Sequence, residues 1–75
     1  MDEPIQAVRS APGEYFLAAE EVHAGQTFKF RDAVYEIVTE PTKFGIAWSA
    51  TVKVVEGLRP GSTFRAMLHT GRRVN

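Results

Sequence analysis

The chain has no cysteine. That excludes a disulfide framework, a thiolate metal site and a cysteine nucleophile, and it favours a reducing compartment. It also lacks any apolar run close to the roughly 20 residues that span a bilayer, and its acidic start, MDEP, has none of the basic and apolar order of a secretory signal. A soluble, cytoplasmic protein with no membrane partner is expected. There is no glycine-rich phosphate loop, and none of Ser10, Ser49 and Ser62 sits in a GxSxG elbow with a base and an orienting acid in view. His23 and His69 have no partners at metal-ligand spacing, although Glu20 lies shortly before His23. No metal, no cofactor and no enzymatic activity are expected. Net charge is absent too, because nine Lys and Arg balance nine Asp and Glu.

What is present is an ordinary globular mixture, 44% hydrophobic and 24% charged over 75 residues. A single domain of this size buries about 60% of the surface its unfolded chain exposes. The charges are sorted along the chain. Residues 1–25 carry Asp2, Glu3, Glu14, Glu20 and Glu21 against Arg9 alone, whereas residues 57–75 carry Arg59, Arg65, Arg72 and Arg73 and no carboxylate. Such asymmetry points to a basic face for an acidic partner, or to two ends that pair with each other.

Residues 1–13 hold Pro4 and Pro12 and no sustained period, so they are expected to form a flexible N-terminal arm ahead of a domain over 14–75. Tyr15 to Ala18 then suits a short strand, and AEEVHAG a single helical turn stopped at Gly25; a full helix over 14–23 competes, since Glu, Leu and Ala are good helix formers. From Thr27 the period is two. Phe28 and Phe30 alternate with Lys29 and Arg31, and after a bend at Asp32 and Ala33 the β-branched and aromatic run AVYEIVTE reads as a second strand. EPTKFG is the next turn. IAWSATVKVV places Ile46, Trp48, Ala50, Val52 and Val54 on one face, EGLRPG turns the chain, and STFRAML alternates Phe64, Ala66 and Leu68 against Thr63, Arg65 and Met67. Five short strands without a crossover helix predict an all-β fold: a small five-stranded antiparallel barrel with at most one short helical turn. Closure hides the edges that so short a chain has no helices to cover.

HAGQTFKFRDAVYEIV resembles the opening of an SH3-like barrel. PTKFGIAWSATVKVVEGLRPGSTFRAMLHTGRRV is similar to the remainder of the amino-terminal domain of the elongation factor P family, so the resemblance covers residues 20–74. Pro41, Lys43 and Gly45 match that domain's hairpin tip, and Gly61 matches a later turn. In the family the lysine corresponding to Lys43 is chemically extended and reaches the ribosome's catalytic centre, and two further domains follow. Here Phe44 is inserted beside the lysine and Thr42 replaces a glycine. The resemblance implies an SH3-like barrel.

Two kinds of site are candidates. Lys43 and Phe44 would set a cation against phosphate and a ring against a base, and Arg59, Arg65, Arg72 and Arg73 would add charge-assisted, salt-sensitive phosphate contacts. The expected partner is then RNA, DNA or a ribonucleoprotein, bound by a noncatalytic module. The plainer alternative has Phe44 folded over the barrel mouth and the arginines paired with Glu36, Glu40 and Glu56. The second candidate is a protein-interaction module, an inhibitor or assembly factor, acting through an apolar patch at Val55 and Met67 or through an exposed strand. Trp48, Phe28, Phe30, Tyr35, Phe64 and Leu68 are expected in the core.

Overall fold

The computed structural model describes residues 4–70. They form seven strands: β1 (Ile5–Ala11), β2 (Glu14–Leu17), β3 (Thr27–Phe30), β4 (Ala33–Ile37), β5 (Thr42–Phe44), β6 (Ala47–Glu56) and β7 (Thr63–His69). Six close into a barrel in the order β4-β3-β1-β2-β7-β6, with β6 returning to β4, and β5 extends the sheet past β6. The described residues contain no helix. The small all-β barrel expected from the alternating segments is the fold of the chain, and it is consistent with the SH3-like kind that the resemblance implies.

Its details differ from five antiparallel strands after a flexible arm. Residues 5–11 form β1, in which Ile5 and Ala7 pack against the core while Gln6 and Val8 are exposed. Pro4 and Pro12 bracket this strand instead of breaking it, because proline is tolerated at a strand's boundary, where no ladder donor is needed. The β1–β2 hairpin turns at Pro12 and Gly13 and inserts between β3 and β7. Its direction makes both seams parallel, β1 with β3 and β2 with β7, while the remaining pairs are antiparallel. The hairpin supplies the two strands that close the wall.

Glu14–Leu17 is a strand, and AEEVHAG is an irregular loop instead of a helical turn. Tertiary bonds replace the helical ones there: the Gly25 N–H, at φ +96°, donates to the Ile37 carbonyl, and the Ile37 N–H donates to the Gln26 carbonyl. The loop therefore prolongs the β3–β4 ladder. Val22 projects from it and is buried with the core.

Phe28, Leu17, Ile37, Leu68 and Val52 are the largest fully buried side chains, and no buried residue among those described is polar or charged. Tyr15 sits among aromatic neighbours, its ring centroid 5.3 Å from Phe28, 5.6 Å from Tyr35 and 5.9 Å from Phe30. Each such tilted or edge contact adds about 0.5–1.5 kcal/mol beyond the area it buries. Phe30, Tyr35, Phe64 and Trp48 are half-buried at the rim of this core. Ile46, expected to share the inner face with Trp48, is 88% exposed. It occupies a turn, where strand alternation no longer dictates direction.

Candidate functional site

The working surfaces are set by an interruption in one long strand. β4 and β5 both run antiparallel to β6, but residues 38–41 stand opposite residues 50–51 alone, between the pairs Ile37↔Val52 and Thr42↔Ser49. The excess bulges outward. Val38 N–H still donates to the Thr51 carbonyl at 2.8 Å, whereas the Thr51 N–H, left without a backbone partner, donates to Thr39 Oγ1 at 3.0 Å. Pro41, which has no N–H to contribute to a ladder, is buried beneath the bulge. Past it, β5 resumes pairing.

Lys43 and Phe44 are thus strand residues and not the tip of a turn. The tip is Gly45 and Ile46, flanked by the pair Phe44↔Ala47. Gly45 has φ +67° and Ile46 is not left-handed, the pattern of a two-residue hairpin that needs glycine first. Strand alternation then sends neighbouring side chains to opposite faces. Lys43 lies opposite Trp48, its Nζ 5.0 Å from the centre of the indole, while Phe44 is 68% exposed on the other face, not folded over the barrel mouth.

On the face of Phe44 lies an open cleft of about 440 Å³ lined by Thr42, Lys43, Phe44, Ser49, Arg65 and Met67. Arg65 is the cation directed into it; Lys43 lines it although its Nζ lies over Trp48 on the other face, and no carboxylate lines it. Arg65 Nη1 donates to Ser49 Oγ at 3.1 Å, which points the guanidinium across β6 toward β5. On the opposite face a cleft of about 380 Å³ is lined by Glu20, Glu21, Val22, His23, Glu40, Pro41 and Trp48. Its charge is reversed.

In the acidic cleft His23 bridges two elements. Nε2 is 2.9 Å from Glu21 Oε1 and Nδ1 is 3.0 Å from Glu40 Oε2. A carboxylate only accepts, so both contacts are hydrogen bonds only when both ring nitrogens carry protons. Accordingly the bonds to Glu21 and then Glu40 raise the His23 pKa above its ordinary 6.5. The bond from His23, followed by the Ala24 N–H, lowers Glu40 below 4.5. The clasp ties the β2–β3 loop to the bulge. The only hint of it in the sequence was Glu20 near His23; Glu40 lies too far along the chain to be matched without the bulge.

The proposed basic face is brought together only in part. Lys43, Phe44 and Arg65 share one cleft, and Met67, a candidate for protein binding, lines it too. Arg59 lies in the β6–β7 turn, at the other end of the hairpin from β5, and Arg72 and Arg73 lie outside the described residues. Val55 is exposed on the same outer face as Met67, but it is six residues along β6 from Ser49, the partner of Met67, or roughly 20 Å. The two form no common patch. Among the described residues neither Arg59 nor Arg65 is paired with a carboxylate: Glu36 takes Lys53 at 3.9 Å and Glu40 takes His23. No group of three or more His, Asp or Glu among them is arranged to hold a metal ion, and they include no helix long and apolar enough to cross a membrane. No family, no curated protein and no solved structure matches the chain.

Proposed function

We propose that the chain is a noncatalytic binding module that takes single-stranded nucleic acid across the β5–β6–β7 face. One observation carries the reading: an exposed aromatic ring, Phe44, stands beside Arg65 and Lys43 in a cleft without a carboxylate, on a protein of zero net charge. Bases stack on such a ring whatever their identity, and the Arg65 guanidinium takes a phosphate. The hydroxyls of Thr42 and Ser49 line the same path and supply further donors.

Fluorescently labelled single strands, titrated with the full chain over a range of salt, test this. Affinity is expected to fall steeply with salt. Phe44→Ala is expected to weaken binding by roughly 1–3 kcal/mol, and Arg65→Ala to reduce the salt slope by about one. Binding indifferent to salt, or unchanged in Phe44→Ala, overturns the reading.

A second reading has its own support. Among the described residues β5 is the one strand paired on a single side, and Phe44 and Ile46 stand exposed at its end. An extended peptide adding to that edge would bind through backbone hydrogen bonds and the two apolar side chains. In that case Ile46→Asp abolishes capture of the peptide while nucleic acid fails to compete.

A further inference from the structure

Away from both clefts, two arginines converge on one ring. Arg9 lies on β1 and Arg31 begins the turn between β3 and β4; the Cζ atom of each is 5.2 Å from the centroid of Phe30. Twice that distance is the upper limit on their separation. Both side chains are exposed, and among the described residues neither forms an ion pair with a carboxylate. Two like charges brought this close repel each other, and the ring removes water from one side of each.

The backbone is unusual at the same place. Phe30↔Ala33 is a strand pair, so Arg31 and Asp32 are the two central residues of the turn, and Arg31 has φ 58°. Glycine is favoured at such a first position, and a side-chain-bearing residue held there carries a conformational cost that commonly marks a functional constraint. The conformation brings the Arg31 guanidinium to Phe30. Arg9 follows Ile5 and Ala7 on the face of β1 that looks into the barrel, which brings its guanidinium to the barrel's mouth beside Tyr35. Burial, then a hydrogen bond with Tyr15, pushes the Tyr35 hydroxyl above its ordinary 10.0 against the pull of Arg9, so a neutral phenol stands beside Arg9 at this rim.

We propose that Arg9 and Arg31 form an oxyanion site for a phosphate dianion, taken as the free ion or as a terminal phosphomonoester. Two guanidinium forks match the two negative charges, and each supplies charge-assisted hydrogen bonds that shorten and strengthen against such an ion. A phosphodiester, with one charge and two ester oxygens, satisfies the pair less well. The site stands independently of the nucleic-acid reading, since neither arginine lines the cleft at Phe44.

The test follows the Arg9 and Arg31 Nε–H resonances of the ¹⁵N-labelled full chain during titration with inorganic phosphate, a nucleoside 5′-monophosphate, a dinucleotide lacking a terminal phosphate, and chloride at matched ionic strength. Saturable shifts at both residues with phosphate or the monophosphate are expected, with about tenfold weaker binding of the dinucleotide; which of the first two binds tighter identifies the source. Arg9→Gln and Arg31→Gly should each abolish saturation. Arg31→Gly also relieves the left-handed backbone, so it should keep or raise the melting temperature while losing the ion, which separates loss of the site from loss of the fold. Shifts reproduced by chloride, equal affinity for the dinucleotide, or saturation retained in Arg31→Gly overturn the proposal.

Discussion

The two faces of the β5–β6 hairpin differ in charge although they are built from alternate residues of the same strands. Phe44 and Ser49 look toward Arg65, and Trp48 looks toward Glu20, Glu21 and Glu40. The contrast arises from what each face meets beyond the hairpin. The outer face meets the polar side of β7, whereas the inner face, above the core, is covered by the β2–β3 loop and its carboxylates. Lys43 stands between them, lining the basic cleft with its Nζ over the indole of the acidic one. A neutral sequence thereby presents one cleft with cations and no carboxylate and another with three carboxylates around His23.

Removing the wall that the clefts share should have the largest effect. Leu68 is fully buried and lies opposite Trp48 on β7, so Leu68→Ala is expected to cost about 2–5 kcal/mol in urea denaturation and to blur both faces. A loss below about 1 kcal/mol would mean that the core does not support the hairpin as described. Next comes the turn. Gly45 has φ +67° and open space where a Cβ would stand, so Gly45→Val should cost about 1–2 kcal/mol through the backbone alone. Gly45→Asn should cost less, because asparagine tolerates that conformation. Equal losses for the two would show that crowding, and not the dihedral angle, is responsible.

The third test acts on the acidic face only. His23 has a raised pKa, so its contribution is complete below 6.5 and disappears as pH climbs through the raised folded value. Glu40 has a lowered pKa, so its contribution is complete above 4.5 and disappears as pH falls through the lowered value. Amide protection in the β2–β3 loop, corrected for intrinsic exchange, should therefore peak between 4.5 and 6.5. In His23→Gln the decline on the alkaline side should vanish, and the basic face should show no matching change. The smallest effect belongs to Lys43. Replacing it by Met removes an exposed cation–π contact, expected to change stability by less than about 1 kcal/mol while altering Trp48 emission. An unchanged spectrum would detach the lysine from the indole.

Much of this barrel is legible in short stretches. The alternation in TFKF, AVYEI and AWSATVKVVE identifies β3, β4 and β6, and Phe28, Ile37, Val52 and Leu68 are buried as their period implies. β1 was obscured because the two prolines around it weigh heavily in any local reading, while IQAVRSA is stabilised as a strand by neighbours from β2 and β3. The hairpin tip lies beyond the stretch that local composition marks, for a similar reason. EPTKFG has the composition of a turn, but Thr42, Lys43 and Phe44 pair with Ser49, Trp48 and Ala47, and that ladder outweighs local preference. Arg65 is a candidate on sequence alone, yet nothing in the sequence separates it from Arg59, which the hairpin carries to the opposite end.

By itself the sequence determined the segments of β2, β3, β4, β6 and β7, the inward residues within them and the lack of any covalent staple, because these follow from period-two geometry and from the side chains present. Only the tertiary structure decided which strands became neighbours, where the bulge at 38–41 shifted the register, and hence which charges came to share a face. Register depends on partners far apart in the chain, and an excess of residues on one strand changes what every side chain beyond it meets.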